Sequence, residues 1–212
     1  MYERMKNDTS RVLFDYWNRI RGARRAPRRL EVEPSRIVSI LPEAFILERS
    51  DADTFRFRVA GTQLCEQFGL EFRGRNFLEP WEPEDRLTLK QRLTAITEEG
   101  AVGLFEFEAF GPSQEAVIFE VLIVPLVQKD SIDRFLGTMS TTQDPPWLGL
   151  ERLERRQLLR HTLIWPEGLP PRPSHFRPAM FPEIRDARLV RVDRRAFRVY
   201  DGGLSRPMHE KR

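Results

Sequence analysis

The sequence predicts an α+β fold: a five-stranded antiparallel sheet with a helical insert on one face, an N-terminal flanking helix and a C-terminal extension. Three observations predict it. Phe55-Arg-Phe-Arg-Val alternates aliphatic or aromatic residues with cations, the period of a strand that buries one face. A second group of strand-like segments, residues 103–110, 116–127 and 135–141, comes much later in the chain. Between the two groups lie short glycine-bounded turns and one longer helical pattern, so the strands must join across helices.

The elements follow in order. Residues 8–21 read as an amphipathic helix: Asp8, Thr9 or Ser10 can cap it, and Val12, Leu13, Tyr16, Trp17 and Ile20 recur at helical spacing. Gly22 and Pro27 end it, and the linker GARRAPRR is rich in arginine. Pro34 suits the first position of a short helical turn toward Ile40. Residues 45–48 form a first short strand, and Ser50-Asp-Ala-Asp turns the chain. In the next strand Phe55, Phe57 and Val59 share one face, while Arg56 and Arg58 share the other.

Gly61 breaks that strand. Thr62 can cap a turn whose apolar side carries Leu64, Cys65 and Phe68. Gly69 and Gly74 mark bends, and Phe77, Leu78 and Trp81 form an apolar group. Pro83-Glu-Asp opens a longer helix to residue 99, with acids where the helix dipole favours them. Leu87, Leu89, Leu93 and Ile96 are its expected apolar positions, and Gly100 stops it. Segment 116–127 is nearly all apolar and reads as a central strand. Asp144-Pro-Pro-Trp closes the unit. Residues 151–161 read as a charged helix, a proline-rich tract follows, and residues 189–200 alternate again as a short hairpin. Three parts result: 1–30, helix and arginine-rich linker; 31–149, the core; and 150–212, a basic, proline-rich extension.

The 212 residues carry a net charge of +3. It is uneven: residues 1–149 hold −4 and residues 150–212 hold +7. Only four lysines occur, Lys6, Lys90, Lys129 and Lys211, so nearly every cation is arginine. A basic extension can meet an acidic partner or nucleic acid, but arginine serves equally as a solvated surface cation, and nucleic acid is not expected as a partner. The apolar runs are too short to cross a bilayer, and the N-terminus has no apolar signal core. One cysteine leaves no internal disulfide, which fits a reducing cytoplasm.

The ordered set of motifs resembles a PAS domain, and more narrowly the bacterial stand-alone type of PAS family 5. The residues that carry it are Tyr16-Trp17 with Arg21-Gly22; Leu41-Pro42 before Phe45-Ile-Leu; Phe55-Arg-Phe-Arg-Val-Ala-Gly-Thr; Leu64-Cys-Glu-Gln-Phe-Gly; and Gly74-Arg-Asn-Phe-Leu. Trp81 with Asp85-Arg86, Phe119-Glu120 with Pro125-Leu126, and Asp133-Arg134 with Leu136-Gly137 complete it. The resemblance spans about residues 12–149. It implies a sheet enclosing a small pocket walled by helices, and a role in sensing or protein–protein regulation rather than catalysis.

Residues expected to face that pocket are Phe57, Val59, Leu64, Phe68, Phe77, Trp81, Leu93, Phe105 and Phe107. With so many rings, a filled core and an open cavity are equally compatible with the sequence. Light-sensing PAS domains carry a reactive cysteine after a Gly-Arg-Asn step. Here Gly74-Arg75-Asn76 is followed by Phe77, so flavin photochemistry is not expected, and Cys65 reads as a small buried hydrophobe. The three histidines, His161, His175 and His209, all fall after residue 150, so neither heme nor a zinc site is expected, and the ligand stays unnamed. Nucleotide-binding and nucleophile-elbow motifs are absent. Leu13, Tyr16, Trp17 and Ile20 form a face that needs cover, from the chain's own sheet or from a second subunit in a homodimer.

The expectation is a cytoplasmic, non-catalytic regulatory protein that binds a small ligand or protein partner and signals in trans. Two alternatives stay open: a small cone-shaped enzyme moving a proton on an apolar substrate, with Glu106, Glu108 or Glu120 as base, and an arginine-rich nucleic-acid-binding regulator.

Overall fold

A computed structural model describes residues 4–112 and 115–166. The alternating segment 189–200 and nearly all of the proline-rich tract lie outside the described residues. Helix α1 (Asp8–Arg21) forms as its spacing predicts and ends at Gly22. Short 3-10 turns lead to strands β1 (Ala44–Arg49) and β2 (Phe55–Ala60). Helices α2 (Thr62–Phe68) and α3 (Pro83–Glu99) follow, and then β3 (Val102–Phe110), β4 (Ala116–Gln128), β5 (Ser131–Ser140) and β6 (Arg155–Ile164).

The strands form one sheet in the order β2-β1-β5-β4-β3-β6, antiparallel at every pairing. The chain thus leaves β2 at one edge and reaches β3 near the other by way of α2 and α3. This is the helical crossing that the sequence implies.

The sheet has six strands where five were expected. The segment expected as a charged helix, residues 151–161, is mostly β6, within the stretch assigned to the extension. Its Arg, Gln and Leu content favours a helix, but β3 offers a free edge of unpaired backbone groups, and pairing with that edge outweighs local propensity. A register slip places Leu158 opposite Phe107 and Arg160 opposite Glu106, so Leu159 is the extra residue of a bulge and the alternation is broken there. Asp85 at the start of α3 accepts a hydrogen bond from the Leu158 amide at 2.9 Å, on the strand's outer side.

A second bulge corrects the expected face of β2. Phe57 pairs with Leu47 while Val59 pairs with Ile46, so Arg58 is unpaired and Val59 turns away from the side that Phe55 and Phe57 share. Val59 is 52% exposed, whereas Phe57 is buried. The outer edge of β2 is also occupied: Phe55 and Phe57 exchange backbone hydrogen bonds with Gly74, Arg75 and Phe77 at 2.8–3.0 Å. On α3, Leu89, Leu93 and Ile96 are buried as expected, but Leu87 is exposed, lying on the opposite side of the helix.

The sheet carries a core on each face. On one, Leu13, Phe14, Tyr16 and Trp17 of α1 pack with Leu104, Leu122, Val124, Leu126 and Leu136. The Trp17 indole donates to the Pro125 carbonyl at 2.8 Å, and the Tyr16 hydroxyl accepts from the Glu33 amide at 2.7 Å. On the other face, α2 and α3 cover a cluster of phenylalanines.

The crossing begins at Gly61, whose amide donates to the Ala44 carbonyl at 2.8 Å. A Cβ at this position would collide with the backbone carbonyls of Leu41 and Pro42, which cannot swing aside as a side chain can. Gly69 ends α2 in the left-handed conformation, with φ of 58°. Replacing Gly61 by alanine is therefore expected to cost about 1–3 kcal/mol through overpacking, read as a lower urea midpoint at unchanged slope.

Candidate functional site

Eight of the nine residues expected to line a pocket lie buried in one cluster on the helix-covered face: Phe57, Leu64, Phe68, Phe77, Trp81, Leu93, Phe105 and Phe107. Their rings touch one another. Phe57 meets Phe72 at 4.9 Å between centroids, Trp81 meets Phe107 at 5.1 Å, and Phe107 meets Phe119 at 5.5 Å. These distances are those of packed aromatic pairs, so the centre of the face is filled core. Val59, the ninth, lies on the other face for the reason given above. Cys65 packs, half-buried, against the same cluster.

Free space lies to one side of these rings. A cavity of about 300 Å³ opens between the α2–α3 connection and the start of β6. Phe57, Leu70, Phe72, Pro80 and Leu153 supply its apolar lining. Arg75, Asn76, Glu79, Arg152, Glu154 and Arg156 supply the polar part. The Asn76 side chain is already engaged: its Oδ1 accepts from the amides of Phe55 and Leu78, at 3.0 and 3.3 Å, and its Nδ2 donates to the Asp53 carbonyl at 3.1 Å.

Arg156 is the exceptional residue here. It is 2% exposed, the most deeply buried charged side chain among the described residues. Its guanidinium carbon lies 4.7 Å from the Phe68 ring centre, 5.5 Å from Phe72 and 5.9 Å from Trp81. Such ring contacts stabilise a cation by about 0.5–2 kcal/mol each, but they do not satisfy N–H donors. Nε and Nη1 have no hydrogen-bond partner, and no carboxylate among the described residues pairs with the group. Burial alone pushes its pKa well below the usual guanidinium range, to about 9, which leaves it cationic at neutral pH. β6 holds it there. Pairing with β3 places Arg156 opposite Ala109, and Trp81 bridges to Arg156 through the backbone. Sequence reasoning missed this residue because the Glu-Arg-Arg-Gln run read as a solvated helix; nothing local distinguishes it from Arg155, which is exposed.

The candidate acids lie on the opposite, α1-covered side. Glu106 and Glu120 face each other across β3 and β4. Glu120 accepts from the Lys6 and Asn7 amides at 2.7 and 3.1 Å, and the Lys6 ammonium bonds Glu106 at 2.7 Å. Both line a cleft of about 230 Å³ with Arg4, Lys6, Arg160 and Thr162, and both are engaged in anchoring the start of α1. Glu108 shares their face, half-buried. The α1 residues Leu13, Tyr16 and Trp17 are covered by the chain's own sheet, and Ile20 is half-buried beside them.

A larger groove, about 810 Å³, lies on this same side. It is open and lined by Arg28, Arg29, Arg58, Arg73, Lys129 and Arg134, with Glu48 and Asp130 among them. Glu48 ion-pairs with Arg134 at 2.7 Å and also with Arg58. Its cations are solvated or paired, whereas Arg156 is neither, so the smaller cavity is the better site despite its size. Among the described residues no group of three or more His, Cys, Asp or Glu is placed to hold a metal ion. No helix among them is long and apolar enough to cross a membrane.

An antiparallel sheet crossed from its second to its third strand by pocket-walling helices defines a PAS-fold domain. The chain belongs to the PAS_5 family: the family's PAS domain matches residues 5–140. Among solved structures it is similar to the Rhodobacter sphaeroides LOV protein, with 12% identity over 49% of this chain and 60% of that one, at a TM-score of 0.39. It is also similar to the PAS domain of an HTR-like protein from Haloarcula marismortui, with 20% identity over 53% and 94% of the two chains, at a TM-score of 0.37. A third is VqmA bound to DPO, with 15% identity over 50% and 56%, at a TM-score of 0.38. The likeness is limited to the fold. No curated protein matches the chain.

The unpaired charge has a thermodynamic consequence. A folded pKa below the unfolded one means that the cationic form opposes folding. The penalty is complete below about pH 9 and is relieved as pH rises above that toward the ordinary guanidinium range. Arg156→Met removes the charge and keeps most of the volume. It is expected to raise stability at pH 7 by about 1–3 kcal/mol, read by urea denaturation in the absence of added small molecules.

Proposed function

We propose that the protein is a non-catalytic PAS sensor that binds a small ligand or a protein partner and signals in trans. The observation that carries this reading is the cavity beside the ring cluster. Its walls come from the α2–α3 connection and from β6, segments far apart in sequence. A molecule seated there contacts both, and so can favour one packing of β6 over another. β6 leads directly into the basic residues 167–212, the natural stretch to pass on the change. A cytoplasmic homodimer belongs to the same reading, with its contact away from Leu13, Tyr16 and Trp17, which the chain itself covers.

The alternative of a proton-transfer enzyme is less well supported, because Glu106 and Glu120 are engaged as anchors for α1. The nucleic-acid alternative draws on the arginine-rich stretch 150–212, most of which lies outside the described residues.

Native mass spectrometry of protein purified from its own host tests the proposal, together with hydrogen exchange before and after addition of a low-mass host extract. A retained or added small molecule that slows exchange in residues 70–80 and in β6 is the expected result. No retained molecule, no co-purified protein and no change in exchange would rule the sensor reading out.

A further inference from the structure

We infer that the cavity beside Arg156 is a binding site for a small organic anion, a carboxylate on a flat apolar body. The inference rests on the sensor reading and names the class of its ligand. A guanidinium is costly to bury without a counter-charge, because its N–H donors lose water and gain nothing. Here Nε and Nη1 are left unsatisfied, while three aromatic rings fix the plane of the group. A cation held in place without a partner, at the wall of an open cavity, is complementary to an anion that arrives from outside.

The cavity wall selects the rest of the ligand. A planar guanidinium suits the oxygens of a carboxylate, to which its in-plane N–H donors make charge-assisted bonds. Phe57, Phe72, Leu70 and Leu153 offer apolar surface to the body of the molecule. A volume of about 300 Å³ suits a single small ring system. Three arginines against two glutamates leave the lining with an excess of one positive charge, so a monoanion balances it. Glu79 and Glu154 are both exposed, and neither reaches Arg156 to act as its internal partner.

The test uses the full chain and four probes: benzoate and phenylacetate, and their neutral amides, benzamide and phenylacetamide. Isothermal titration and thermal melting are followed at pH 7.5 in a buffer free of carboxylates, with sodium chloride as the simple-anion control. The expected result is saturable binding of at least one acid with a rise in Tm, and binding of its amide weaker by about tenfold or more, because the amide loses the charge-assisted bonds. Arg156→Met, expected to fold with raised stability, is expected to lose the response to the acid, while Arg36→Met, a change on the exposed surface, keeps it.

Equal binding of acid and amide, no binding of either acid, or an acid response that survives in Arg156→Met overturns the inference. A wild-type response produced equally by chloride overturns it too. The sensor reading fails separately: a neutral molecule retained by protein from the host would keep the sensor and remove the anion.

Discussion

One face of the sheet must be closed by helices, and the rings that fill the gap set the rest of the architecture. Phe45, Phe57, Phe68, Phe77, Phe107 and Phe119 pack edge to edge and face to face over the strands. Rings of fixed shape leave little freedom in where α2 and α3 can lie. They also decide where space can remain. The middle of the layer is packed solid, and the cavity survives only at its side, where the α2–α3 connection passes the start of β6.

The two faces do different work. The α1 side is held by polar bonds at both ends of the helix: Asn7 donates to Ser140 at 2.9 Å, Glu120 takes the amides before the first turn, and Trp17 reaches the Pro125 carbonyl. Glu106, Glu120 and the Asn7 side chain are all engaged there. The helix-covered side is largely apolar and buries the Arg156 guanidinium, whose Nε and Nη1 find no partner among the described residues. A charge without a partner lowers stability, and natural sequences keep such groups where function needs them.

Much of this was legible in the sequence. The period of α1, the alternation in β2 and the caps of α3 each follow from local chemistry, and the ordered motifs fixed the class of fold. What was not legible depended on pairing between distant segments. Arg58 and Leu159 are each an extra residue in a strand, and one extra residue reverses the face of everything beyond it. That is why Val59 was expected inside and lies outside. It is also why residues 151–161 read as a helix: the alternation is interrupted at Leu159, and only the free edge of β3 makes residues 155–164 a strand. The candidate site was hidden for the same reason, since Arg156 acquires its surroundings only when β6 docks.

The hydrogen bonds along the margin of β2 have a further consequence. Residues 74–77 already occupy the backbone positions at which another extended chain could add, and on the far side Asp85 and Trp81 take up positions on β6. Among the described residues, the margin of β2 is engaged along Phe55 to Phe57, and that of β6 at Arg156 and Leu158. Where those margins are engaged, another extended chain finds no free ladder to join, which works against edge-to-edge stacking at these positions.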